Sequence, residues 1–112
     1  LFQADRLDDA RAQYERSAQI DSTSEAYDRL GDIYLAWKDF PRAEQAYRHG
    51  IALDPFDSHA HVGLGQVLES LARPTDALHE YETGLETDPN DLIAKSAVLR
   101  LRGAAPERSI TR

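Results

Sequence analysis

Sliding the 112-residue sequence against itself produces a run of coincidences at one fixed offset, the separation of Ala26 from Ala60. A fixed period of that size restricts a chain to repeat architectures. Leu30 falls on Leu64, Gly31 on Gly65, Ala43 on Ala77 and Tyr47 on Tyr81. The register continues through Gly50 and Gly84, Asp54 and Asp88, Pro55 and Pro89, and Asp57 and Asp91. A weaker third copy sets Ala10, Tyr14 and Ile20 against Ala43, Tyr47 and Leu53, at an offset shorter by a single position. That deletion fits the turn Asp21-Ser22-Thr23.

Within a unit the pattern is that of two helices. Ala26, Tyr27, Leu30, Ile33, Tyr34 and Trp37 recur at steps of three and four, which builds one apolar helical face. Ser22 and Glu25 have the spacing of a capping box for its start. The chain turns near Lys38-Asp39, and Pro41 falls in the next first turn, where proline is tolerated. That second helix runs to about Leu53 and ends at Asp54-Pro55, because a residue before proline is pushed out of the helical region. The following unit repeats the plan, with Asp57 as cap, a helix to about Ala72, Pro74, and Asp88-Pro89 as the stop. No segment alternates as a half-buried strand does.

Two sets of small residues need a packing reason. Gly31, Gly65, Ala43 and Ala77 are expected where the two helices of a pair come close. Gly50 and Gly84 each cost about 1 kcal/mol in a helix interior. Their shared register suggests close approach of the next unit's first helix, or else drift at a tolerant position.

The motif Tyr27-x2-Leu30-Gly31-x2-Tyr34, then Ala43-x3-Tyr47, then Pro55, resembles the tetratricopeptide repeat. The next unit is similar, with His61 and Leu68 as departures at aromatic positions. The resemblance covers roughly residues 5–91 and implies an all-α tetratricopeptide-like stack of antiparallel helix pairs. Such an α-solenoid fragment would hold about two and a half repeats plus a C-terminal helix. The expected division is a single domain over 1–102: a partial repeat at 5–23, repeats at 24–57 and 58–91, and a capping or next-repeat helix at 91–102. Leu1–Ala4 would be the end of a preceding helix, and residues 103–112 a flexible tail. The chain opens on Leu1 without a basic-then-apolar leader, so it is expected to be a piece of a longer protein.

Chemistry-bearing motifs are lacking. With no cysteine there is no disulfide, thiolate metal site or thiol nucleophile. His59 and His61 are two apart and point to different helix faces, so they cannot share a metal; His61 is expected in the core. No H-E-x-x-H, phosphate-binding glycine loop or G-x-S-x-G occurs. No enzyme activity, cofactor or metal is expected. A net charge of −7 opposes binding to a phosphate backbone or an anionic membrane, and no apolar run reaches the roughly 18 residues of a span.

The resemblance further implies that the first helices line a concave groove that binds a protein or peptide segment. Facing away from the apolar stripe are Glu25, Asp28, Asp32 and Leu35 on one first helix, then His59, Val62, Gln66 and Glu69 on the next. The last contributes Ile93, Ser96 and Arg100. The expected groove is acidic at one end and mixed at the other, suited to a partner with basic residues. Family members that grip a chaperone's terminal carboxylate use basic and amide side chains where this chain has Asp28 and Asp32, which disfavours that role. Trp37 is expected in the core, in step with Leu71. The alternative to a binding module is a structural or self-association element of a larger parent protein. One form of it is a homodimer through the N-terminal edge, where Phe2, Leu7 and Tyr14 would be uncovered on a helix running from Leu7 to Ile20.

Overall fold

The computed structural model describes residues 2–20 and 23–103, with side chains in the first helix described at 6, 8–17 and 19. Six helices follow one another: α1 (Phe2–Ile20), α2 (Ser24–Ala36), α3 (Phe40–Leu53), α4 (Ser58–Ser70), α5 (Pro74–Thr87) and α6 (Leu92–Gly103). No strand occurs among the described residues. α2 packs on α3 and α4 on α5 as antiparallel pairs, and α1 and α6 continue the stack at its two ends. α1 runs unbroken from Phe2, so no turn separates the residues before Leu7 from the rest of it. Phe2, Leu7, Ser22 and residues 104–112, the bulk of the expected tail, lie outside the described side chains. Tyr14, expected on an uncovered edge, is half-buried and packed against the core.

The helix ends follow local chemistry. Thr23, not Ser22, caps α2: its hydroxyl accepts from the Ala26 amide at 3.1 Å. Glu25 therefore sits one position early for a capping box. Asp39 and Asp57 cap α3 and α4 through the amides of Arg42 and Ala60, and Pro41 and Pro74 occupy the first turns of α3 and α5. The α2–α3 and α4–α5 turns share one geometry. Lys38 (φ 62°) and Ala72 (φ 60°) both adopt the left-handed conformation. The next amides, of Asp39 and Arg73, donate back to the carbonyls of Tyr34 and Leu68 at 2.8 and 2.9 Å. This is a helix stop that usually carries glycine, and no sequence signal marked it here.

A continuous core runs through the stack. Tyr47, Tyr81, Leu64, Leu68 and Val67 are its largest fully buried side chains, each worth roughly 1.5–3 kcal/mol of burial. Trp37 and Leu71 are half-buried against it, with Trp37 edge-on to Tyr34 at 6.4 Å. His61 is the expected core histidine: Nδ1 lies 2.8 Å from Glu80 Oε1 and Nε2 donates to the Pro55 carbonyl at 2.9 Å.

The glycines divide into two groups. Gly31 and Gly65 lie beneath the rings of Tyr47 and Tyr81 on their own paired helices, and a Cβ at Gly31 would come 2.6 Å from the Tyr47 ring. Gly63, on the next unit's first helix, approaches the same Tyr47 ring, where a Cβ would come within 2.4 Å of it. Gly50 and Gly84 correct the expectation made for them. They face Asp28 and Ser24, and Val62 and Ser58, which belong to the first helix of their own pair and not to the next unit.

Candidate functional site

α2, α4 and α6 lie in succession, with α2 in direct contact with α4, and present most of the sequence-nominated residues. Two do not belong to that face. Asp28 is 5% exposed and Val62 4%. They are repeat-equivalent, and each fills the space over the glycine of its paired helix, Gly50 or Gly84. Without a side chain at those glycines the helices close at that end, and position 28 or 62 is drawn into the pair interface. Leu35 is half-buried against the core rather than presented freely.

The others assemble into two clusters. At the α2–α4 junction, the buried Tyr47 donates its hydroxyl to Asp32 Oδ1 at 2.5 Å. His59 Nε2 lies 2.9 and 3.0 Å from the two oxygens of Asp32, and Arg29 is 3.6 Å away. Burial pushes the Asp32 carboxyl upward, but the hydrogen bonds from His59 and Tyr47 outweigh it and hold the group below its ordinary value. The same bond raises His59, whereas burial and then Asp32 raise the Tyr47 phenol. At the α4–α6 junction, Tyr81 donates to Glu69 Oε1 at 2.8 Å, and Arg100 grips both oxygens of Glu69. Arg100 is the main cause that lowers Glu69.

Each junction opens into a cavity. One of about 320 Å³ is lined by Glu25, Asp28, Arg29, Asp54, Asp57 and His59. The other, of about 510 Å³, is lined by Gln66, Glu69, Tyr81, Ile93, Ser96 and Arg100 among others. Asp32 and Glu69, expected on the groove face, are both paired within the protein. The remaining carboxylates lie at the edge: Glu25, 4.0 Å from Arg29, and Asp54 and Asp57, which accept the amides of Phe56 and Ala60. Sequence reasoning used Asp54 and Asp57 only as helix stop and cap, because their approach to α2 depends on how the α3–α4 turn folds back. Among the described residues no group of three or more His, Cys, Asp or Glu could hold a metal ion, and no helix is long and apolar enough to cross a membrane.

Solved structures share this architecture. The tetratricopeptide domain of Arabidopsis OM64 superposes with a TM-score of 0.85 at 22% identity, over 93% of this chain and 87% of that one. The first such domain of Spaghetti (RPAP3), bound to an HSP90 peptide, gives 0.85 at 23% identity over 92% and 82%. The second domain of human RPAP3, in complex with an HSP70 peptide, gives 0.81 at 22% over 90% and 85%. At these identities the likeness shows the fold. No curated protein sequence matches the chain. The family model for the tetratricopeptide repeat matches residues 29–91, more than half of the chain, with both repeat motifs inside that span except the opening Tyr27. The chain belongs to the tetratricopeptide repeat family.

Proposed function

We propose that this protein is an interaction module that holds a protein or peptide segment against the face formed by α2, α4 and α6. The observation that carries the reading is the pair of open cavities between successive first helices. Both are bordered by exposed side chains, Glu25 and His59 at one and Ser96 and Arg100 at the other. Structurally similar domains bind HSP90 and HSP70 peptides, which supports a peptide-sized ligand. With Asp28 buried and Asp32 paired, a terminal carboxylate finds no free cation at those sites, so a basic or mixed-charge segment fits better. The module has no catalytic role of its own.

The test is capture of a partner from extract by the wild type and by Glu25→Lys with Ser96→Lys, with Gln45→Lys on α3 as the control. Capture should fall for the double variant, with helicity unchanged, and should weaken as salt rises, because exposed charges are screened over about 8–10 Å. Equal capture by all three proteins would refute the reading. A second reading, self-association, rests on Leu92 and Leu99, two helical turns apart on one face of α6 and 78% and 75% exposed. Sedimentation over a range of concentrations, with Leu99→Glu for comparison, tests it.

A further inference from the structure

Two crevices between successive second helices, α1–α3 and α3–α5, are repeat-equivalent, and only the second is largely closed. Tyr27, Leu30 and Ala46 line the first where His61, Leu64 and Glu80 line the other. His61 spans its crevice from Glu80 Oε1 at 2.8 Å to the Pro55 carbonyl at 2.9 Å, and about 220 Å³ is left open. In the first crevice Ala46 stands where a carboxylate would hold the ring. Tyr27 stacks instead on His49, with ring centres 4.8 Å apart. An opening of about 510 Å³ remains, with the buried Leu30, Tyr34 and Ala46 in its wall. Concavities of that size with aromatic and apolar walls are where proteins take up foreign groups.

The α3–α4 turn carries the converse feature. Phe56 is 76% exposed, and Leu53, which ends α3, is 48% exposed. The equivalent turn after α5 holds Asn90 and Thr87 at those positions. Both turns close alike, with the amides of Phe56 and Asn90 donating to Asp54 Oδ1 and Asp88 Oδ1 at 3.1 and 3.3 Å. An asparagine therefore serves the turn as well as a phenylalanine does, and the exposed ring is not needed to close it. His49, at the open crevice, lies one helical turn before Leu53, so the knob and the hole sit at the same end of α3.

We propose that Phe56 of a second copy of this chain enters the α1–α3 crevice, and that a two-fold axis makes the exchange reciprocal. A two-fold contact sets one patch against itself, and this patch carries both the knob and the hole. Charge favours the same occupant. Asp54 travels with Phe56, and at the crevice it meets the His49 ring and Arg42, whose side chain is 65% exposed and only loosely paired with Asp39 at 3.6 Å. The carboxylate in the crevice, Glu15, already accepts from Arg11 and from the Tyr34 hydroxyl. The entering ring extends the stack of Tyr27 on His49. Each aromatic side chain buries about 150–250 Å², so two of them make a contact of the small, transient class. It leaves the α4–α6 junction open and stands apart both from the groove reading and from the contact through Leu92 and Leu99.

Sedimentation of the full chain over a roughly hundredfold range of concentration should show a monomer–dimer equilibrium. Phe56→Asn, which copies the equivalent turn, should keep the fold and weaken the dimer by roughly tenfold or more. Tyr27→His with Ala46→Glu, which copies the closed crevice, should weaken it as much, with far-UV circular dichroism as the check on folding. In a mixture of isotope-labelled and unlabelled chains, cross-relaxation should link the Phe56 ring to Tyr27 and His49 of the other copy. If the double variant loses helicity, that cross-relaxation decides alone. A strictly monomeric wild type, or a dimer that persists in Phe56→Asn, would overturn the exchange. So would a dimer lost with Phe56→Asn yet kept by a folded double variant, since the ring must then seat elsewhere. A dimer broken by Leu99→Glu instead places the contact on α6 and equally overturns it. Capture of a partner through the groove is read separately and survives any of these results.

Discussion

The two junctions between first helices meet the same requirement with different residues. In each, a buried tyrosine hydroxyl needs an acceptor, a carboxylate supplies it, and a nitrogen-bearing side chain from the next first helix, His59 or Arg100, bonds the carboxylate. Tyr47 and Tyr81 are repeat-equivalent, but Asp32 and Glu69 are not, nor are His59 and Arg100. Asp32, Gln66 and Arg100 share one register, so one position is acceptor, neutral and cation in successive units. What recurs is the electrostatic need created by burying a phenol; the register that answers it is free to move by a helical turn. The rings differ in their seating too. Tyr47 lies against both Gly31 and Gly63, whereas the position equivalent to Gly63 at the other junction is the buried Ala97.

That last difference gives the largest expected effect. Gly63→Ala should destabilise by about 1–3 kcal/mol, as overpacking does, because its Cβ would enter the Tyr47 ring. Ala97→Gly, the mirror change, should cost only about 1 kcal/mol of helix propensity. Denaturant titration of both variants checks the comparison, and equal losses would break it.

Asp28→Val should make the first junction resemble the second. A carboxyl raised in the folded state favours folding fully below its unfolded value of 3.8, and that contribution is lost as pH rises towards about 9. The variant should therefore gain about 1–3 kcal/mol over the wild type at pH 8, and most of the gain should vanish at pH 4. A gain independent of pH would mean that shape, not charge, is what changes.

The α2–α3 and α4–α5 turns can be compared in the same way. Ala72→Gly should stabilise by about 1 kcal/mol, because a non-glycine residue at positive φ is strained by about that amount; Lys38→Gly should act alike. A thermal melt that leaves either unchanged would show that turn to be relaxed.

The smallest effect concerns the exposed cations, since such pairs are worth about 0–1 kcal/mol. His59 is raised, so its contribution is complete below 6.5 and disappears as pH passes its folded value. Asp32 is lowered, so its contribution is complete above 3.8 and lost in acid. The first junction should be tightest between those limits and loosen at alkaline pH, while the Glu69–Arg100 junction stays level. Comparing His59→Gln with Arg100→Gln from pH 5 to 9 by stability titration sharpens this. Parallel profiles would show that His59 does not titrate against Asp32.

The repeat period, the helix pairs, the cap at Asp57, the prolines in the first turns of α3 and α5, and the core place of His61 were all legible in the amino-acid order. They depend on periodicity and on groups a few residues apart, which a linear chain displays directly. The left-handed turns at Lys38 and Ala72 were not legible, because the conformation is imposed by the closing of each pair and carries no glycine to announce it. Nor could spacing alone place Asp28 and Val62. A helical wheel puts them opposite the apolar stripe, but Gly50 and Gly84 let the paired helices approach until that side is covered as well. The cavity bordered by Glu25, Asp28, Asp54 and Asp57 draws on α2 and on the α3–α4 turn, almost a whole repeat apart in the chain. Only the stacking of one pair on the next brings those carboxyls together, since the free energy that juxtaposes them comes from burying the tyrosine-centred core and not from any attraction among like charges.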